Sequence, residues 1–247
     1  EPAALPGFRA SLTYWSVDMD KRVGLIPIGN VDLYNISGYA GNYIINPTLA
    51  QALAAAAEDG GFLTGATSIQ SVYGIGNDPY VLTDARRKNF GRLKVTGIDY
   101  NIAYRHQFGW GSFNTSLNGV YKLKQMERAV AGADYVDRLA NNNTRVTAQA
   151  LVGADIDKFT ATGTVNFTKG FPVLGVVNQT SIGNFLVTNL FFRYAVKQDL
   201  NVTLNVDNVF DSTPPFVNIN GGIPQFQGLQ LASTLGRYFN VGLSKTF

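Results

Sequence analysis

The chain has 247 residues, of which 45% are apolar and 12% aromatic, but only 15% are charged, with a formal net charge of +3 and no cysteine. Soluble domains carry about 25% charged residues, and disordered chains have low hydrophobicity. The composition therefore excludes a disulfide framework, a thiolate metal site and a disordered tail. No run approaches the ~20 apolar residues of a spanning helix, and no basic cluster indicates nucleic-acid binding.

Alternation of apolar and polar residues with a period of two predicts about eight β-strands. The chain opens on Glu1 to Gly7 without a targeting segment, so we expect it to be mature or to begin inside a larger protein. The first strand is expected at about 8–19, and a long loop follows at 22–90. Within that loop we predict a short helix at 47–59, with Asn46 as N-cap, Pro47 as first residue and Gly60 as stop signal.

The strands after this loop show the alternation most clearly. Leu93 and Val95 differ in parity from Tyr100 and Ile102, which predicts a β-bulge near Gly97. Further strands have apolar residues at every second position and mainly Thr, Asn, Ser and Gly between them; they begin near 113, 146, 159, 190, 200 and 239. Short turns at 107–111, 155–158 and 197–199 alternate with long loops at 126–142, 170–185 and 209–234. We therefore predict an antiparallel sheet with short turns at one end and long loops at the other.

Two architectures fit this alternation: a soluble sandwich or lipocalin with its apolar face inside, and a membrane barrel with that face outside. The polar face carries few charges, unlike the exposed face of a soluble sheet. Aromatic residues eight positions apart bracket the apolar face on three strands: Phe113 and Tyr121, Phe159 and Phe167, Phe239 and Phe247. Eight residues span roughly 26 Å, or about 20 Å at a ~40° tilt, near the ~25 Å band and aromatic girdles of outer-membrane barrels.

Further rings mark the short-turn end, as in an interfacial belt; they are Tyr104, Phe108, Trp110 and Tyr194, with Phe113, Phe159 and Phe247. An eight-stranded barrel is filled by its own side chains. The small polar residues here suit the wider lumen of a larger barrel. The pattern favours a transmembrane β-barrel with short periplasmic turns and long extracellular loops.

Two C-terminal segments carry a family pattern: Asn205 to Pro215 (NVDNVFDSTPP) and Gly236 to Phe247 (GRYFNVGLSKTF). They resemble the end of TonB-dependent outer-membrane receptors, with an Asn-Leu-Phe-Asp-like element after the penultimate strand and a Gly-Arg-x-Phe strand ending in an aromatic. Val209 stands where leucine is commoner. Segments 97–100 and 6–11 also resemble barrel strands of this family. The last strand resembles a barrel-assembly signal at Phe239, Val241, Leu243 and Phe247, with Lys245 in the apolar register.

The resemblance implies a 22-stranded barrel with an N-terminal plug. Residues 1–247 would supply about its last eight strands, without the plug. The implied function is capture of a scarce nutrient, a ferric siderophore or other iron chelate first and a glycan next, with import energised by TonB. A passive porin-like channel or a small closed barrel is the alternative.

The resemblance also implies the setting of the protein. The location would be the outer membrane of a Gram-negative bacterium. Partners would be the plug and remaining strands of the receptor, TonB, the barrel-assembly machinery, lipid with lipopolysaccharide, and the nutrient. No nucleic acid, cofactor or enzymatic activity is expected.

Side chains suited to catalysis or metal binding are scarce. His106 is the sole histidine, so a histidine triad or metal site is not expected. Gly74-x-Gly76 lacks the context of a nucleotide site. We expect solvated charge at Asp18, Asp20, Lys21-Arg22 and Arg86-Arg87-Lys88, the basic groups also being candidates for an anionic ligand or lipopolysaccharide phosphates. Arg105 and Arg193 are expected to pair with neighbouring barrel or plug groups. An outer-membrane hydrolase is the enzymatic alternative.

The loops hold the candidate ligand-binding residues. Tyrosine and polar amides on loops are adaptable recognition groups. The candidates are Tyr34, Tyr39, Tyr43, Tyr73 and Tyr80 in the first long loop, and Phe216, Gln225 and Phe226 in the last. For each, packing of the loop on itself as an Ω-loop is the other interpretation.

Overall fold

The computed structural model describes residues 5–24, 36–57, 73, 81–84, 86–141, 143–174, 178–215 and 235–246. This part of the chain is all-β apart from a 3₁₀ segment, Ser37–Asn42, and one helix, α1, Leu49–Ala57. The strands of the first half are β1 (Phe8–Gly24), β2 (Tyr43–Ile45), β3 (Val81–Thr83), β4 (Lys88–Phe108), β5 (Gly111–Arg128) and β6 (Val136–Asp137). Those of the second half are β7 (Val146–Ile156), β8 (Phe159–Thr168), β9 (Phe171–Pro172), β10 (Ser181–Ile182), β11 (Phe185–Lys197), β12 (Leu200–Asp207) and β13 (Tyr238–Lys245).

No helix among the described residues has the length and apolar character needed to cross a membrane.

The long strands form one sheet in the order β1-β4-β5-β7-β8-β11-β12-β13, with the short β6 beside β5. From β5 to β13 each neighbouring pair on this path is antiparallel. Two short ladders, β2–β3 and β9–β10, lie in loops. The predicted antiparallel all-β fold, with about eight principal strands, is confirmed.

The register separates two faces of the sheet. One cross-strand row, on the apolar face, consists of Phe113, Ala154, Ala161, Phe192, Leu204 and Val241. The adjacent row, on the polar face, consists of Ser112, Asp155, Thr160, Arg193, Thr203 and Gly242. Because successive side chains point to opposite faces, this alternation continues along the strands, as the sequence predicts.

The described residues divide into two compact units. The sheet unit comprises 1–17, 94–126 and 137–247, and the loop unit comprises 18–93 and 127–136. In the sheet unit, Phe171, Val173 and Ile182 form a small buried cluster under the β9–β10 loop. In the loop unit, Tyr39 and Val130 are the centre of a second cluster.

The loop helix is present, but it begins two residues later than predicted. The Gln51 backbone N–H donates to Thr48 Oγ1 at 3.3 Å, and the Thr48 N–H donates to Gln51 Oε1 at 2.8 Å. This reciprocal capping box makes Thr48 the N-cap. Asn46 instead adopts a left-handed conformation with φ +48°, so its prediction as N-cap was wrong. The predicted stop at Gly60 lies outside the described residues.

Strand β4 runs without interruption past Gly97. A Cβ at Gly97 would meet the ring of Trp15, so this glycine makes room for the indole on the neighbouring strand. The Trp15 Nε1–H donates to Asp99 Oδ1 at 2.7 Å, two residues further along the same face. The β-bulge near Gly97 stays a prediction.

Candidate functional site: the long-loop end of the sheet

The first long loop is seated on a small hydrophobic core in the loop unit. Tyr39 in the 3₁₀ segment is 1% exposed and packs on Val130, with Ile36, Tyr43 and Ala133 around it. The Tyr39 ring meets Phe90 edge to face, with centroids 5.6 Å apart. Gly38 permits this approach, because a Cβ there would collide with the Ala131 carbonyl. Two loops distant in sequence are therefore packed together.

The hydroxyl group of Tyr39 is the polar atom inside this core. It is buried without a hydrogen-bond partner among the described residues. Burial raises the pKa of Tyr39 above its ordinary value, because the phenolate would lose its hydration. The environment of Tyr39 thus favours the packing interpretation over direct ligand contact.

An ionic cluster closes the β2–β3 ladder of the loop unit. The Arg86 guanidinium donates to both carboxylate oxygens of Asp84, at 2.8 and 2.7 Å. Lys88 Nζ lies 2.8 Å from Asp84 Oδ2 and donates to Asn42 Oδ1 at 2.6 Å. The hydrogen bonds from Arg86 hold the pKa of Asp84 well below its ordinary value. Arg86 and Lys88, predicted as solvated charges or anion contacts, both pair with Asp84, and the Arg86 side chain stays 58% exposed.

Two further ion pairs join strands of the loop unit. Arg92 on β4 donates to both carboxylate oxygens of Asp18 on β1, each at 2.9 Å. Arg22 on β1 pairs with Glu127 on β5. Asp18 and Arg22 were predicted as solvated charges, and their side chains are 45% and 43% exposed. The ion pairs were not predicted, because the strands continue here and bring opposite charges from distant segments together.

Gly91 on β4 lies close to two neighbouring segments of the loop unit. A Cβ at Gly91 would stand 3.3 Å from the Arg22 carbonyl oxygen, 3.4 Å from Arg22 Cβ and 3.5 Å from the Ala129 carbonyl oxygen. The glycine therefore permits the close approach of Arg22 and Ala129. Sequence reasoning missed Gly91, since a glycine inside a strand gives no indication of which neighbour needs the space.

The motif after β12 forms a hydrogen-bonded turn. Asn208 is 6% exposed with φ +51°, its side-chain oxygen accepts from the Ser212 N–H at 2.8 Å, and its Nδ2–H donates to the Ser212 carbonyl at 2.9 Å. Asp211 Oδ1 accepts from the backbone N–H of Arg237 at 2.8 Å, and the Arg237 guanidinium donates to the Val209 carbonyl at 3.2 Å. The motif residues thus end β12 and fix the start of β13.

A second folded loop lies on the sheet unit. The Thr144 hydroxyl donates to the Lys169 carbonyl at 2.6 Å, and Asn184 Oδ1 accepts from the Gly170 N–H at 2.8 Å. The Leu174 N–H donates to Asn141 Oδ1 at 3.0 Å, which joins the β9–β10 loop to the loop after β6. The long-loop end is therefore structured at this position.

The predicted ligand-binding residues have different surroundings. Tyr43 is partly buried beside the Tyr39 cluster. The Tyr73 hydroxyl donates to the Pro47 carbonyl at 3.1 Å, near the start of α1. The remaining candidates lie outside the described residues: Tyr34, Tyr80, Phe216, Gln225 and Phe226.

The aromatic pairs on the apolar face change position along their strands from one strand to the next, when positions are compared through the cross-strand register. Phe159 and Phe167 on β8 are level in the ladder with Gly111 and Gly119 of β5, two residues from Phe113 and Tyr121. Phe239 lies on β13, five strands from β5, and is level with Thr115 of β5. Thr115 is six residues from Tyr121. The shift is thus about one residue per strand. Phe247 lies outside the described residues.

Four rings form a stack towards the short turn after β4. Tyr104 and His106 stack with centroids 6.2 Å apart, His106 and Phe108 meet edge to face at 4.5 Å, and Phe108 and Trp110 stack at 5.0 Å. His106 is therefore flanked by two rings and remains exposed. No group of three or more metal-ligating residues occurs in the described ranges.

No protein-family model and no curated protein matches the chain. Among solved structures, the chain is similar to FpvA of P. aeruginosa in its iron complex with a heterologous pyoverdine, with a TM-score of 0.51 and 14% identity. The match covers 97% of this chain and 25% of that chain, so this chain spans a quarter of the length of its structural neighbour. At this identity the likeness concerns the fold alone, that of part of a β-barrel.

Proposed function

We propose that the chain is the C-terminal part of the 22-stranded barrel of a TonB-dependent outer-membrane receptor. It would supply lumen wall, extracellular loops and the assembly signal of a receptor that imports a ferric siderophore or other iron chelate, with a glycan as second choice. The structural neighbour, a siderophore receptor bound to ferric pyoverdine, supports this class of cargo. The chain would bind and pass on its ligand without making or breaking bonds.

The shift of the aromatic pairs against the register carries this proposal. A shift of one residue per strand moves the rings ~3.3 Å along the strands for every ~4.8 Å across the sheet. The line through the rings is therefore inclined by about 35° to the row of directly paired residues. Outer-membrane strands are tilted by about 35–45°, and their aromatic girdles stay at constant height. Rings that keep one height on tilted strands must shift in this way. In a soluble sheet no membrane interface fixes the height of the aromatic residues, so such a line is not required.

Exposure of the apolar face supports a lipid environment. Between the aromatic levels, Leu117 and Val152 are 40% and 52% exposed, and Val241 on β13 is 74% exposed. Leu186, which pairs with Phe167, is 43% exposed. Soluble monomers rarely expose a continuous apolar surface of this extent. Lipid would cover these side chains, and Trp110, the last of the four rings and 63% exposed, suits the headgroup region.

The ends of the sheet support a larger barrel. In the described part of the chain, β1 and β13 each stand at an end of the strand order. Backbone groups at a sheet edge need partners in lipid, which only a closed barrel provides. The remaining strands of the receptor would provide them. The outer residues of β13, Phe239, Val241 and Leu243, would be presented to the assembly machinery together with Phe247.

For ligand binding, we propose that the loop unit holds the ligand-contacting residues in place. Tyr39, Phe90 and Val130 would hold the first long loop in place, so that Tyr43 and Tyr73 lose little entropy on binding. Tyr34 and Tyr80, and Phe216, Gln225 and Phe226 of the last long loop, remain candidate ligand contacts. Tyr39 would act indirectly, through packing.

Uptake measurements test the proposal against the passive-channel alternative. Cells producing the intact receptor are incubated with a panel of radiolabelled iron chelates and oligosaccharides, with and without a functional TonB. We expect binding of one class in both strains and accumulation only with TonB. A Tyr43→Ala variant should weaken binding, whereas Tyr194→Ala at the short-turn end should not. Accumulation that is unchanged without TonB would contradict the proposal and favour a porin-like channel.

A further inference from the structure

Two lysines lie level with each other on the apolar face, at the short-turn end of the sheet unit. Lys197 on β11 and Lys245 on β13 both stand opposite Leu200 of β12. Leu200 belongs to the apolar face, because it alternates with polar residues in step with Val202 and Leu204. Directly paired residues share a face. The two lysines are therefore on the apolar face, two strands or roughly 10 Å apart.

A β-bulge puts Lys197 on this face. Tyr194, three residues earlier, is paired with Phe159 on the apolar face, so regular alternation would place Lys197 on the polar face. The register shifts between Ala195 and Lys197, however, and Lys197 stands opposite Leu200. Bulges re-aim side chains in this way. The charge of Lys197 is therefore on the apolar face for a reason that alternation along the sequence does not reveal.

The short turns at this end carry acidic residues of their own. Asp157 shares its turn with Lys158, so the two charges offset each other there, and Asp199 lies in the turn between β11 and β12. The Lys197 side chain is exposed and forms no hydrogen bond or ion pair with another described residue. Lys245 has a contact of its own within the chain. Lys197 therefore supplies the available donor, and Lys245 adds charge beside it.

One row further along the strands, the same face is apolar. This row consists of Phe159, Tyr194, Val202 and Leu243, paired from β8 to β13. Tyr194 is 50% and Leu243 is 72% exposed. Positive charge thus directly adjoins an exposed aromatic and apolar surface. A ligand that matches both must carry an anionic group joined to hydrocarbon, which neither a free phosphate ion nor an acidic peptide does.

We propose that Lys197 and Lys245 bind the headgroup phosphate of an anionic phospholipid in the leaflet at the short-turn end. The inference rests on the proposed function, since it requires the apolar face to lie in lipid. Lysine has a flexible four-carbon stem and directs its ammonium group to the interface when it stands near a membrane boundary. Acyl chains would cover Tyr194 and Leu243 while the phosphate meets the ammonium groups. A zwitterionic lipid binds less well, because its own cation competes with lysine for the phosphate.

Fluorescence quenching by brominated lipids tests the inference on the 247-residue chain in vesicles. Tyr194→Trp supplies a reporter one row from Lys197, and the same titration without this substitution corrects for Trp15 and Trp110. Phosphatidylglycerol brominated in its acyl chains is compared with the equivalent phosphatidylcholine at constant total lipid. We expect the anionic lipid to be preferred about fivefold at the reporter, the factor that one lysine contributes near an anionic surface.

The lysines are tested by removing their charges in the background that carries the reporter. The double variant Lys197→Gln and Lys245→Gln should reduce the preference to less than about twofold. The matched control, Lys124→Gln with Lys169→Gln, removes the same charge from the long-loop end of the sheet unit and should leave the preference unchanged. If the double variant fails to fold, Lys197→Gln alone replaces it and should at least halve the preference; an unchanged preference would overturn the inference.

Four outcomes would overturn the inference. Equal quenching by the two lipids would do so and leave the barrel proposal intact. Equal losses of preference in the two double variants would assign the preference to the overall charge of the chain. Loss of the preference in inorganic phosphate, but not in chloride of the same ionic strength, would assign the lysines to a free anion. Quenching by neither lipid would contradict the proposed membrane location itself, and the inference with it.

Discussion

At the scale of single residues, the ring and the hydroxyl of Tyr39 have opposite effects on the stability of the loop core. The ring contributes to a core that joins two loops, while the hydroxyl is buried without a partner among the described residues. We expect Tyr39→Phe to leave loop stability unchanged or slightly raised, because an unpaired polar group costs about 1–3 kcal/mol. Tyr39→Ala should cost about 3–5 kcal/mol locally through the cavity. Hydrogen exchange of the amides around Val130 and Phe90 measures both effects.

The raised pKa of Tyr39 gives this prediction a dependence on pH. Because the folded pKa lies above the unfolded value, the stabilising neutral form is fully present below the unfolded pKa of about 10 and is lost as pH rises further. Exchange in the loop core should therefore accelerate above about pH 10 in the wild type and less in Tyr39→Phe. Identical high-pH behaviour of the two proteins would contradict the assignment.

Asn208 illustrates how the sequence motif after β12 follows from local geometry. It is buried, left-handed, and hydrogen-bonded to both backbone groups of Ser212. We expect Asn208→Ala to destabilise the β12–β13 connection by about 2–3 kcal/mol, since buried groups lose partners and alanine disfavours this conformation. Asn205→Ala, in the same motif but on regular strand β12, is the matched control. Urea unfolding in detergent measures the difference, and equal effects of the two variants would contradict this role.

At the scale of elements, Gly91 couples the segments at Arg22 and Ala129 of the loop unit through close packing. A Cβ there would stand 3.3 Å from the Arg22 carbonyl oxygen and 3.5 Å from the Ala129 carbonyl oxygen, so Gly91→Val should push both segments away and increase hydrogen exchange near both residues by about three- to tenfold. The control is Gly183→Val, where a Cβ meets nothing within 4 Å. Arg22→Gln with Gly91 retained separates loss of the Arg22–Glu127 ion pair from steric strain. An unchanged exchange rate in Gly91→Val would contradict the coupling.

Some features of the strands and the helix could be predicted from the sequence, and others could not. The faces of β5 to β13 follow from alternation, because side-chain direction in a strand is a local property. The N-cap of α1 was misassigned because Pro47 suggested an earlier start than the Thr48–Gln51 capping box allows. Arg22 and Glu127 are 105 positions apart, and no local pattern relates them. Tyr39 was predicted as a ligand contact, and its burial could not be predicted because it depends on distant partners such as Val130.

At the scale of the whole molecule, one physical account explains both the low content of charged residues and the high content of aromatic residues. Apolar side chains lie on an exposed face, small polar ones on the other, and aromatic rings shift by about one residue per strand. We account for this as lipid on one side and an aqueous lumen on the other. The small buried clusters lie in the loops, where they would hold binding residues and not the barrel wall.

The orientation of the two faces is the central claim, and the absence of cysteine allows a direct measurement. Single cysteines are introduced one at a time from 114 to 121 on β5, spin-labelled, and reconstituted in lipid vesicles. Accessibility to oxygen, which partitions into lipid, is compared with accessibility to a water-soluble nickel complex. We predict a period of two, with oxygen favoured at Thr115, Leu117 and Gly119 and nickel at Ser116 and Asn118. The opposite phase, or nickel access at every position, would contradict the account.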